Sequence, residues 1–230
     1  MSKRSRPGLL PHGLVILHED QDILVVDKPA GLLTIGTESD KSRTAYYLLT
    51  DYVRNGCARS RNRVFIVHRL DRDTSGVLVF AKSEEAKVRL QGAWSETEKK
   101  YLAVVHGQCR KSEETITTYL AENQAHVMYS TSDPAKGKLS HTAYQVLKQT
   151  KRFALLEISL LTGRKNQIRV HLADIGNPIV GDRKYGNAKE SYAGLALHAR
   201  SLSLTHPFSD QRLTFAAKVP EYFNKLMGGI

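Results

Sequence analysis

The 230 residues carry 34 Lys and Arg against 23 Asp and Glu, a formal charge of +11, with 41% hydrophobic and 25% charged residues. This composition implies an ordinary soluble globular chain, and no apolar run approaches the roughly 20 residues that span a bilayer. The basic excess favours a polyanionic partner, because each neutralised phosphate releases counterions.

Residues 1–13 read as a basic, flexible arm containing Pro7, Gly8, Pro11 and Gly13. No signal-peptide core follows it, so a cytoplasmic location is expected. Residues 14–18 and 23–27 read as strands joined by the polar turn at 19–22. Lys28-Pro-Ala-Gly31 must leave the sheet, since proline cannot continue a central ladder. From 43 to 54, Ala45, Leu48, Leu49, Tyr52 and Val53 follow helical spacing. Residues 64–67 and 77–80 are short, β-branched runs that read as buried strands. A helix from Ser83, its cap, to about Trp94 is expected next. Residues 101–106 and 153–160 read as strands, 122–142 as a polar excursion or hairpin, and 166–175 as a helix capped by Asn166. A strand at 195–204 and a helix at 220–227 close the chain. No repeat or low-complexity linker divides it, so residues 14–230 are expected to form a single α+β domain. Its sheet should be mixed and largely antiparallel, with flanking helices.

Between the strands at 64–67 and 77–80 lies His68-Arg-Leu-Asp-Arg-Asp-Thr-Ser-Gly76. It holds far more charge than a simple turn needs. Asp71, between Arg69 and Arg72, is the chief candidate: a carboxylate among guanidiniums stays ionised and suits nucleophilic or electrostatic work at a sugar carbon. Asp73 could share its side of the segment or act as a turn-maker. Arg54, Arg59, Arg61 and Arg63 precede this segment without an intervening acid and form a basic lip suited to nucleic acid. Arg164, Lys165 and Arg169 gather at the start of the 166–175 helix, where phosphate binds favourably. His171 could be catalytic but reads as structural; Tyr101 taken alone reads as a core or edge tyrosine, and in a nucleic-acid enzyme it could stack on an extruded base. Cys57 and Cys109 lack metal-ligand spacing, no His pair has a zinc pattern, and no dinucleotide, nucleophile-elbow or P-loop motif is present. No metal or cofactor is expected.

Five segments in order resemble the RluA-type pseudouridine synthases. They are Val25-Val-Asp-Lys-Pro-Ala-Gly-Leu-Leu33, residues 68–76, Lys100-Tyr-Leu-Ala-Val-Val-His-Gly107, Thr162–His171 with Gly176–Asp182, and Leu195-Ala-Leu-His-Ala199. The resemblance implies a pseudouridine-synthase-like catalytic domain that isomerises uridine to pseudouridine in RNA without cofactor or metal. It makes Asp71 the catalytic aspartate, Tyr101 the base-stacking residue and Arg169 the partner of Asp71. Arg69 would help to extrude the base and Leu197 would pack against it. Attack at C1′, attack at uracil C6 and a glycal route all remain open. The third segment departs from the pattern at Lys165-Asn166, which puts local RNA contacts in question. No room is left for the family's N-terminal S4 domain, so the arm and the lip must supply RNA affinity. A monomer acting on a ribosomal or transfer RNA stem-loop is expected. The competing readings are a non-catalytic RNA-binding or ribosome assembly protein with the same fold, and a glycoside or nucleoside hydrolase, which lacks a convincing second carboxylate.

Overall fold

The structure, a computed structural model, describes residues 8–36, 40, 42–57, 59–187 and 191–229; residues 1–7 of the expected arm lie outside them. In chain order the elements are β1 (Val15–Glu19), β2 (Ile23–Lys28), α1 (Ala45–Arg54), β3 (Phe65–Ile66), β4 (Ser75–Ala81), α2 (Glu84–Gly92) and β5 (Glu98–His106). They continue as β6 (Glu113–Glu122), β7 (Met128–Thr131), β8 (Lys138–Gln149), β9 (Phe153–Leu160), α3 (Gln167–Asp174), β10 (Leu197–Thr205), β11 (Arg212–Ala216) and α4 (Glu221–Met227). Two compact units result: Met1–Thr97 with Ser201–Lys218, and Glu98–Arg200 with Val219–Ile230.

In the first unit, β2 pairs antiparallel with β1 and with β4, its register running from Ile23↔Ala81 to Lys28↔Gly76. The β-branched runs explain the burial. Val77, Val79 and Ala81 alternate onto the face that meets Ile23, Val25 and the α2 residues Ala86 and Leu90. Ser83 caps α2 as expected, its Oγ accepting from the Ala86 N–H at 3.0 Å. Thr44 does the same for α1, and Asn55 ends that helix in the left-handed conformation. The strand expected at 64–67 shrinks to two residues, and the Val67 carbonyl accepts from the Gln91 side chain instead.

In the second unit, β5–β9, β9–β8, β8–β6 and β6–β7 are all antiparallel. The hairpin alternative for 122–142 is the one that forms, but its strands reach well beyond that window. β6 escapes a reading based on apolar content because only Ile116, Leu120 and Ala121 are buried and its threonines carry the strand preference. The α+β, largely antiparallel architecture agrees with the expectation from sequence.

His171 on α3 is fully buried, its ring held between the hydroxyls of Thr142 and Thr118 at 2.9 Å each. Burial, reinforced by His141 and opposed by Asp174, pushes its pKa down to about 4. The buried, twice hydrogen-bonded ring agrees with the structural reading, and the direction of the shift gives the sign of a pH effect. Between pH 6.5 and 4 the unfolded chain binds the proton and the folded one does not, so stability falls as pH falls. The stability advantage of the wild type over His171→Asn, measured by urea unfolding, should shrink by about 3 kcal/mol from pH 7 to pH 4. A constant difference would refute that origin.

Candidate active site

The loop from β3 to β4 is anchored on both sides of Asp71. His68 is fixed first: its Nε2 accepts from the Val79 N–H at 3.1 Å, and its ring lies 4.6 Å from that of Trp94. One residue before Asp71, the Thr34 hydroxyl accepts from the Leu70 N–H (3.2 Å) and donates to the Leu70 carbonyl (2.9 Å). One residue after it, the Arg72 carbonyl accepts from Lys28 Nζ (3.0 Å) and from the Gly31 N–H (2.9 Å). Gly31 reaches that carbonyl with φ +85°, a conformation suited to glycine. Thr74 N–H donates to the Asp71 carbonyl at 3.2 Å, closing the turn into β4.

Lys28 is 0% exposed, and its other donors go to the carbonyls of Pro29 (2.9 Å) and Leu32 (2.8 Å). Burial pushes its pKa down to about 8, against the opposing fields of Asp73, Asp71 and Asp27. A charge this deep persists because three carbonyl dipoles and nearby carboxylates replace its water. Neither Lys28 nor Thr34 is found by reading the sequence for chemistry. The available signal was a lysine ending an apolar strand just before Pro29.

In the second unit, Arg169 on α3 donates from Nε and Nη2 to the two oxygens of Asp182, both at 2.7 Å. The Asp182 side chain is 0% exposed and also accepts from the N–H groups of Lys184 (2.9 Å) and Tyr185 (3.0 Å). Burial alone would raise its pKa; the hydrogen bonds and charge of Arg169, with those two N–H groups, outweigh burial and lower it. Gly181 before it admits no side chain, since a Cβ would lie 1.9 Å from the Gly194 carbonyl oxygen. Asp182 thus supplies Arg169 with a carboxylate partner that the sequence reading missed, although it closes a segment already singled out.

Tyr101 is buried on β5, in register with Ile158, and Leu197 is buried at the start of β10. Asn166 does not cap α3 as expected. It takes φ 53°, and its side chain donates to the Tyr185 hydroxyl at 3.0 Å. Arg164 is exposed, whereas Lys165 pairs with Glu122 at 2.5 Å, which leaves its charge partly spent within the protein. With Arg169 bound to Asp182, the expected basic cluster at the helix start is dispersed.

Arg69 is exposed and makes no ion pair among the described residues. Arg54 donates to the Asn62 carbonyl (3.2 Å), Arg63 lies 4.8 Å over the Phe65 ring, and Arg59 and Arg61 are exposed. The register pairs Phe65, two residues after Arg63, with Ala81, whereas Asp71 lies toward Gly76. The two ends of β4 are five residues apart, about 17 Å.

Among the described residues, Asp20, Asp22 and His206 form the one group spaced to hold a metal ion. His206 Nδ1 accepts from the N–H groups of Phe208 and Ser209 (3.4 and 3.2 Å), so a neutral ring carries its proton on the Nε2 that faces Asp20. A protonated nitrogen is not a ligand, and the group reads as a hydrogen-bonded set.

The first unit therefore presents a backbone-clamped carboxylate, and the second a carboxylate-bound arginine and a buried tyrosine. The family profile described as RNA pseudouridylate synthase matches residues 22–174. Ribosomal large subunit pseudouridine synthase C of Rickettsia bellii is 34% identical over 219 residues, covering 92% of this chain and 70% of its own. tRNA pseudouridine synthase C of Vibrio parahaemolyticus is 31% identical over 253 residues, covering 95% of each chain. The solved structure of human RNA pseudouridylate synthase domain containing 4 superposes with a TM-score of 0.76 at 27% identity, over 90% of this chain and 89% of that one.

Proposed function

We propose that this chain, which belongs to the RNA pseudouridylate synthase family and isomerises uridine to pseudouridine in RNA, works through the carboxylate of Asp71. The observation that carries this reading is the double clamp: Thr34 on Leu70, and Lys28 with Gly31 on Arg72, so the residue between them is held in place. A carboxylate fixed before the reaction costs little reorganisation when charge develops opposite it.

Breaking the N1–C1′ bond gives the sugar oxocarbenium character, which Asp71 stabilises or traps, as carboxylates do in glycoside hydrolysis. The freed uracil turns in the site and rejoins C1′ through C5; the C5 proton then leaves while N1, no longer bonded to the sugar, takes one up, so the product is an isomer of the substrate. Tyr101 stacks on the flipped base, with Leu197 against it, and Arg169 pairs with Asp71 while Asp182 holds its guanidinium. Arg69 enters the stack in place of the extruded uridine. Arg164 and Lys165 contact the RNA backbone, Lys165 by exchanging Glu122 for phosphate.

The substrate is a compact stem-loop of ribosomal or transfer RNA, met by residues 14–230 as a cytoplasmic monomer. Among the described residues no helix is long and apolar enough to cross a membrane. Release of tritium from RNA labelled at uridine C5 tests the reaction, because the label leaves only when C5 is rejoined. Purified protein should release it from total RNA of a strain lacking the enzyme; no release would end the proposal.

A further inference from the structure

The most developed polar feature that the reaction leaves unused is a pocket at the Ile23–Ala81 end of the first unit, remote from Asp71 along β4. It encloses about 460 Å³ and is lined chiefly by Glu19, Gln21, Tyr52, Asn55, Asn62 and Arg63. Its acid is already satisfied. Glu19 Oε2 accepts from the Tyr52 hydroxyl at 2.8 Å, and Oε1 pairs with Lys82 Nζ at 2.9 Å. An anionic ligand therefore meets no bare carboxylate there.

The amides are the groups left over. Gln21 and Asn55 make no side-chain hydrogen bond among the described residues, and Asn62 uses only its amide nitrogen, to the Val53 carbonyl at 3.4 Å. The left-handed C-cap at Asn55, with φ 50°, sets that residue beyond the end of α1. Arg63 lines the pocket, Arg54 donates to the carbonyl of its Asn62, and Arg59 and Arg61 are exposed in the same segment between Asn55 and Arg63; none of the four is ion-paired among the described residues.

Uncommitted amides offer a donor and an acceptor side by side, the pattern that pairs with a base edge. Arginines without acidic partners meet phosphates. In RNA such edges are accessible where bases are unpaired. We propose that this pocket takes an unpaired base of the RNA substrate, read by Gln21, Asn55 and Asn62, while the four arginines hold the adjoining phosphates. The proposal rests on RNA being the substrate. Because the pocket is about 17 Å along β4 from the Asp71 end, the base it reads is not the target uridine but a distant nucleotide that selects which uridine is presented.

The test is fluorescence anisotropy with short homopolymers of A, C and U as probes, across a salt series. The wild type should prefer one homopolymer. The variant Gln21→Ala/Asn55→Gly/Asn62→Ala, in which glycine keeps the left-handed cap, should bind that one about tenfold more weakly and lose the preference. Its salt slope should not change. Replacing the four arginines with Ser should weaken all three probes alike and lower the slope of log K against log salt by about 3. A wild type without preference, or an amide variant that keeps it, would overturn the pocket assignment. A displaced thermal melt in the triple variant moves the comparison to Gln21→Ala alone, which is expected to reduce the preference and overturns the proposal if it does not. Tritium release by the wild type is scored separately, so loss of the enzyme reading and loss of the pocket are distinguishable.

Discussion

Asp71→Asn should lower pseudouridine formation by about a thousandfold or more, a loss of at least ~4 kcal/mol of transition-state stabilisation. RNA affinity should stay within a few fold, because one exchanged atom on a loop residue removes no cation. The backbone clamps on Leu70 and Arg72 do not involve the Asp71 side chain. Asparagine therefore fits the same place, and a failure to fold is not the expected reason for inactivity. Tritium release compares the two proteins on the same RNA. A variant retaining a tenth of the activity would remove Asp71 from the centre of the mechanism.

The second large effect concerns the support of Arg169. In Asp182→Ala, a guanidinium whose side chain is only 12% exposed loses both hydrogen bonds of its bidentate partner. The Lys184 and Tyr185 N–H groups lose their acceptor in the same step. Removing one member of a buried pair takes the bidentate acceptor from the other, and the destabilisation expected in denaturant unfolding is about 3–5 kcal/mol. Asp182→Asn retains an oxygen for the N–H groups and should cost less, while slowing kcat more than it weakens RNA binding. A loss below about 1 kcal/mol for Asp182→Ala would show that Arg169 finds water or another acceptor.

Strands built from apolar runs were legible because burial on both faces removes polar residues from the sequence itself. The β2 and β9 runs are clear cases. Strand β6 was not, since three buried residues in ten leave threonines that read as loop. The site divides in the same way. Asp71, Tyr101 and Arg169 are local signals, visible as charge or aromaticity beside a strand or at a helix start. Their supports come from afar: Thr34 meets Leu70 across 36 residues, Lys28 meets Arg72 across 44, and Arg169 meets Asp182 across 13. Spacing along the chain carries no trace of such partners. Asn166 failed as a cap for the same reason: its side chain goes to the Tyr185 hydroxyl, 19 residues along the chain, and its backbone takes the left-handed conformation.

The buried ammonium of Lys28 also bears on what happens when RNA arrives. A nucleic acid brings a dense field of negative charge, and that field favours protonation of any carboxylate it approaches. Mobile counterions cannot answer it at the reaction centre, because they are displaced as the complex forms. Lys28 is a cation that docking cannot expel, tied to the same carbonyl that fixes the loop beyond Asp71. The protein thus carries behind the loop that holds Asp71 a cation of its own, one that burial has brought to a pKa of about 8 and that is therefore present at neutral pH before RNA arrives.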